Sequence, residues 1–150
     1  MAANKNKIKK TVGYIAFIAY LIVLSYFLFF SEDYGRNVNY NAYRYNIHLF
    51  SEIKRFWTYK EVLGYKSFMI NVFGNIAVFL PFGYFLPIIN PKCRNPIIVV
   101  LLTVFFSFLI ESIQLVAMVG IFDVDDLFLN TLGGFLGCLL YRLYLKIKNG

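Results

Sequence analysis

Polar residues interrupt the apolar pattern at intervals that divide the chain into four long apolar runs. The first, Val12 to Phe30, follows Lys5, Lys7, Lys9 and Lys10. A basic start before an apolar stretch is also how a signal peptide begins. This run is too long for a signal core and ends in bulky Phe29-Phe30 without a small-residue cleavage site, so it reads as a retained membrane helix. The second run covers about Ser67–Ile89. After the turn Asn90-Pro-Lys-Cys-Arg-Asn-Pro96, the third covers Ile97 to about Val119 and the fourth Leu127–Leu145. Each matches the roughly 20 residues needed to cross a bilayer. The expected fold is an all-α integral membrane bundle of four transmembrane helices, a single domain over residues 1–150.

The 31–66 segment is polar and aromatic. Within it Ile47, Phe50, Ile53 and Trp57 recur near helical spacing, with His48, Glu52 and Arg55 opposite, which predicts an amphipathic interfacial helix over about 46–57. Tyr34, Tyr40, Tyr43 and Tyr45 upstream suit the membrane interface.

Composition supports the class: 59% of the 150 residues are hydrophobic, where about 45–50% is usual in soluble domains. The net charge of +7 gathers at the ends and turns, which fits lipid headgroups and topology rather than nucleic acid. The N-terminus, the 90–96 turn and the C-terminal end carry four, two and three Lys/Arg; the 120–126 loop carries none. The positive-inside rule then puts both termini in the cytoplasm and the 31–66 loop outside. Cys93 and Cys138 have no metal-type spacing and read as reduced, structural thiols. With His48 the only histidine, a histidine-rich metal site is excluded.

The chemistry concentrates in Glu111-Ser-Ile-Gln114 and Asp123-Val-Asp125-Asp126, which hold four of the eight acidic residues. A carboxylate within a membrane span costs about 2.5–3.5 kcal/mol on insertion scales, so Glu111 needs an offsetting role. Asn71 and Asn75 share a helix face, as do Glu111 and Gln114, and Asp126 and Asn130. At 1.5 Å per residue, Glu111 should lie roughly 12 Å below the outer end of its span, Asn71 and Asn75 roughly 6–12 Å, and Asn130 roughly 5 Å. The polar groups are therefore expected at one depth, as an inward-facing pocket open to the outer leaflet. Arg44 is placed to bring a cation to it, or to a phosphate. The structural alternatives are interhelical hydrogen bonding for Asn71 and Asn75 and helix capping for Asp125-Asp126. Gly133 and Gly137, with Gly134 and Gly74, predict close helix packing, and Pro81 predicts a kink.

Arg44-Tyr-Asn46-Ile-His-Leu-Phe50, Asn71-Val-Phe-Gly74-Asn75-Ile-Ala-Val-Phe-Leu-Pro81-Phe-Gly83, Glu111-Ser-Ile-Gln114 and Phe122-Asp123-Val-Asp125-Asp126-Leu-Phe-Leu-Asn130-Thr-Leu-Gly133 together resemble the VanZ-like family over about residues 12–145. The resemblance implies a small protein of the bacterial cytoplasmic membrane, associated with resistance to the glycopeptide teicoplanin or with envelope homeostasis. It implies no reaction. Many members carry an arginine shortly before the Phe-Asp run, where this chain has Val119-Gly120-Ile121.

Three readings follow. The first is a non-enzymatic envelope factor whose pocket binds an amphiphile, either a lipid-linked cell-wall precursor or a lipoglycopeptide, through Arg44, Asn71, Asn75, Glu111, Gln114, Asp123, Asp126 and Asn130. The second is an intramembrane enzyme on a lipid-linked phosphate, with Glu111, Asp123 and Asp126 as acid, base or ligands to a divalent cation. The third is a small transporter, for which four spans without a visible inverted repeat require an oligomer.

Overall fold

The computed structural model describes residues 2–30, 42–59 and 65–149. Tyr34 and Tyr40 lie outside them. Helix α1 (Ala2–Phe30) is followed by strand β1 (Tyr45–Asn46) and the short helix α2 (Ser51–Thr58). Helix α3 (Tyr65–Ile89), a 3₁₀ turn (Pro91–Arg94), helix α4 (Pro96–Val116), strand β2 (Phe122–Asp123) and helix α5 (Val124–Asn149) complete the chain. Four helices are long and apolar enough to cross a membrane. The chain is an all-α bundle of four such helices.

In lipid, apolar surface gives helices no reason to associate, so close packing and polar contacts must hold them. Helices α3 and α5 form the central pair, and glycine lets their backbones touch. A Cβ on Gly83 would sit 1.8 Å from the Gly134 carbonyl oxygen, one on Gly133 2.3 Å from that of Ile76, and one on Gly137 2.0 Å from that of Leu80. Helix α4 packs on α5, and α1 leans on α3, where Gly13 meets Ile88 and the Tyr20 hydroxyl donates to the Val78 carbonyl (2.8 Å). An aromatic cluster fills the junction of α1, α3 and α4; Phe82 stacks on Phe106 at 4.9 Å and meets Phe17 at 5.7 Å. The outer face of α4, with Ile97, Leu101, Phe105 and Phe108, is exposed and wholly apolar, as a lipid-facing surface must be.

Helix α3 continues through both Pro81 and Pro87. Asn90 and Asn95 cap the two elements that follow, their side chains accepting from Lys92 N–H and Ile97 N–H at 3.0 Å each, with proline at the first helical position in both. Cys93 and Cys138 are free, buried and clustered with Val99, and burial pushes the Cys93 thiol up, away from the reactive thiolate.

Two boundaries differ from the sequence expectation. Helix α4 stops at Val116 rather than about Val119, because Met118 takes a left-handed conformation (φ 55°). Met118 N–H donates to Leu115 and Val119 N–H to Gln114, the paired bonds that close a helix end. The left-handed position is usually glycine; here Gly120 comes two residues too late. The interfacial helix is also shorter than expected. Residues 45–46 are a strand and 47–50 a turn, since Asn46 accepts His48 N–H (3.2 Å), a local bond that competes with helix.

Candidate functional site

The β1–turn–α2 segment folds back onto the end of the bundle and is held there by the acidic run. Strands β1 and β2 pair in parallel, Tyr45 beside Phe122 and Asn46 beside Asp123, and Phe122 N–H donates to the Arg44 carbonyl (3.1 Å). Asp123 is the N-cap of α5: its Oδ1 accepts Asp125 N–H at 2.8 Å and also the Asn46 Nδ2 amide at 3.1 Å. Glu111, one helix away and 3% exposed, accepts Asp123 N–H through Oε2 at 3.1 Å.

Asp125 is fully buried. Its Oδ1 accepts Phe50 N–H and its Oδ2 accepts Ile53 N–H at 3.4 Å. Phe50 is the N-cap residue of α2, in a left-handed conformation (φ 64°) and with no acceptor of its own. Asp125 therefore performs both bonds of a capping box from another helix. The carboxylate that sequence reasoning left as a cap for its own helix caps a different one.

Asp126 turns the other way and accepts from Asn75 Nδ2 of α3 at 2.5 Å. One turn deeper, Asn130 Nδ2 donates to Ser107 Oγ (2.9 Å), while Gln114 turns aside to donate to the Leu28 carbonyl of α1 (2.8 Å). Because α4 ends at Val116, Glu111 lies about 7.5 Å from its end, and Asn130 about 9 Å into α5. The buried oxygens Asn71 Oδ1, Gln114 Oε1 and Asn130 Oδ1 accept from no group among the described residues. An unpaired buried acceptor costs about 1–3 kcal/mol, so these three oxygens are the acceptors of the site still open to a further donor.

Electrostatics follow the same geometry. Burial raises Asp123 above the usual carboxylate range, opposed by the bonds from Asp125 N–H and Asn46 and by the charge of Arg55. Arg55, exposed on α2, is a cation that sequence reasoning left on the polar face of a surface helix. Arg44 is exposed at the start of the same segment. Among the described residues, no three His, Cys, Asp or Glu side chains are grouped to share a metal ion. The set Glu111, Asp123 and Asp126 is divided between a backbone N–H, a cap and Asn75.

Sequence reasoning missed Asn46, Asp125 and Ser107 as site members. Thr103 and Ser107 continue the buried stripe of Glu111 up α4 at four-residue spacing, both fully buried. Thr103 donates to the Val99 carbonyl (2.8 Å) and packs against Gly134. That spacing was a readable signal.

The VanZ/LLP1 family profile matches residues 17–145. Protein VanZ of Enterococcus faecium is 34% identical over 79 residues, 53% of this chain and 48% of that protein. The match thus spans about half the length of that relative. No solved structure matches.

Proposed function

The chain belongs to the VanZ/LLP1 family, and from that premise we propose that it protects the bacterial envelope against teicoplanin-type glycopeptides or maintains the envelope. It does so as a multi-pass protein of the cytoplasmic membrane with both termini inside. The end of the bundle closed by Glu111, Asp123 and Asp125 faces outward and receives an amphiphile, either a lipid-linked cell-wall precursor or the lipoglycopeptide itself.

The observation that carries this reading is what meets at that end. The half-buried pair Asp126–Asn75 and the unpaired Asn71 Oδ1 offer acceptors to hydroxyl, amide or ammonium donors. Arg44 and Arg55 stand at the rim for phosphate or carboxylate. An apolar groove of about 250 Å³ runs off Leu49 and Val124 along Val104, Leu127 and Phe128, suited to an acyl or prenyl chain. Ile47, Phe50 and Trp57 form an exposed apolar lip at the level where amphipathic residues enter a membrane. Glu111, Asp123 and Asp125 each accept a backbone N–H, which supports binding and positioning over acid–base turnover.

The test is expression of the full chain in a glycopeptide-susceptible host, with membrane abundance measured beside the inhibitory concentrations of teicoplanin and vancomycin. Wild type should raise the teicoplanin value, and Asp126→Asn, Asn75→Ala and Arg55→Gln should lower that protection at equal abundance. Protection that is absent from abundant wild-type protein, or untouched by all three substitutions, overturns the reading.

A further inference from the structure

Helix α1 runs antiparallel to α3: Gly13 meets Ile88, Phe17 meets Phe82 and the Tyr20 hydroxyl reaches the Val78 carbonyl. Carried on at the same rise per residue in both helices, that register sets Leu28 at the level of Asn71. Leu28 is also where α4 meets α1, because Gln114 Nε2 donates to its carbonyl at 2.8 Å. Gln114 Oε1 belongs to the same amide, so it too lies against the last turn of α1. Gln114 is 1% exposed, and neither its Oε1 nor Asn71 Oδ1 accepts from any described residue. Two buried amide oxygens, one from α3 and one from α4, thus stand at one level around the C-terminal turn of α1.

The junction is rich in acceptors. The last carbonyls of a helix have no partner within it and carry the negative end of its dipole, and α1 has no basic residue in its last turn. Glu111 lies one turn deeper than Gln114 on the same face of α4 and adds a carboxylate. The facing stretches Thr11–Phe30, Ser67–Ile89 and Pro96–Val116 contain no lysine or arginine. Beneath, Leu28 and Phe29 pack on the apolar cluster of Phe79, Phe82 and Ile110. The junction therefore sits at the end of the apolar span Lys10–Phe29, the level of lipid headgroups. A water or hydroxyl would bring lone pairs of its own to such a place. A primary ammonium brings three donors and no acceptor, and its charge suits a helix C-terminus.

We propose that the α1–α3–α4 junction binds the primary ammonium group of an amphiphile, through Asn71 Oδ1, Gln114 Oε1 and the C-terminal turn of α1. The ammonium belongs either to a bilayer lipid headgroup or to an incoming single-chain amphiphile. The inference rests on the reading that this end of the bundle receives an amphiphile, and it names the head group that is recognised there.

Native mass spectrometry of the full chain tests it in two arms. One uses micelles with equal phosphatidylethanolamine and phosphatidylcholine, whose heads differ in N–H donors; the other uses equal dodecylamine and dodecanol. Wild type should retain the primary amine over its counterpart. A preference in the lipid arm assigns the ammonium to bilayer lipid, and a preference in the single-chain arm alone assigns it to an incoming amphiphile. Asn71→Leu and Gln114→Leu should each lower the preference by about tenfold, the loss of one hydrogen bond to a charged donor. Asn71→Asp, which keeps the oxygen and adds charge, should keep or raise it. Tyr20→Phe, which frees α1 from Val78 without touching either acceptor, should leave it unchanged. Equal retention within both pairs overturns the proposal, and so does a loss in Tyr20→Phe as large as that in Asn71→Leu. If the wild-type protein in that case still raises teicoplanin resistance, the ammonium site alone is overturned and the envelope reading stands.

Discussion

Asp125 of α5 caps helix α2 through the backbone N–H of Phe50, 75 residues away in the sequence. A side chain at one helix start thus orders another helix, and the surface loop becomes part of the bundle. Removing the carboxylate leaves two N–H groups in a partly buried turn without their acceptor.

Asp125→Ala should therefore release the 42–59 segment while the four long helices stay folded. An orphaned buried donor costs about 1–3 kcal/mol, enough to undock an eight-residue helix that cannot persist alone. Hydrogen exchange read by mass spectrometry should show faster exchange at Phe50 and Ile53 and unchanged protection in α4. Unaltered exchange in residues 50–53 would contradict the cap.

The hold of the acidic run on the 42–59 segment should also respond to pH through Asp123. Its pKa in the folded protein is raised, chiefly by burial, so the folded state holds the proton more tightly than the unfolded one. The resulting stability is present below the ordinary aspartate value near 3.9 and is lost as pH rises through the higher folded value. Trp57 is the only tryptophan, and its ring meets Phe68 edge-on at 6.3 Å. Its fluorescence anisotropy should fall as pH rises through that window, and Asp123→Asn should flatten the change.

Glycine substitutions should act on the central helix pair. Gly137→Leu places a side chain where even a Cβ would lie 2.0 Å from the Leu80 carbonyl oxygen. Backbone cannot yield as a flexible side chain can, so α3 must move away from α5. Overpacking typically costs about 1–3 kcal/mol, and backbone contact places this change at or above the upper end. Thermal unfolding in detergent should show a lower midpoint for Gly137→Leu and Gly83→Ala, and a smaller effect for Leu139→Ala on the exposed face of α5.

The Ser107–Asn130 hydrogen bond should be worth little. Double-mutant cycles in membrane helices average about 0.6 kcal/mol for such pairs. Among the described residues, Asn130 Nδ2 has this one partner and Asn130 Oδ1 has none. A cycle of Ser107→Ala and Asn130→Ala in reversible unfolding should give coupling below about 2 kcal/mol. A larger value would mean that the two side chains belong to a wider network through that unpaired oxygen.

Four spans, their order and the inward turn of the polar residues were legible from the sequence because each depends on local composition. A run such as Pro96–Val116 is apolar enough to be a membrane helix whatever surrounds it, and Gly133 with Gly137 announces a close contact on its own helix. Which backbone they touch, Ile76 and Leu80, was not announced. The partners of the acids were equally hidden. A carboxylate accepts any well-placed donor, so Glu111 and Asp125 carry no record that one takes Asp123 N–H and the other Phe50 N–H until the loop folds over the bundle. Asn46 looked like part of a helix because helical spacing is local, while the Asp123 carboxylate that holds it as a strand stands 77 residues away. Local chemistry therefore decided what each segment is, and only the tertiary structure decided which hydrogen bonds join them, since a donor and its acceptor are chosen by position in space.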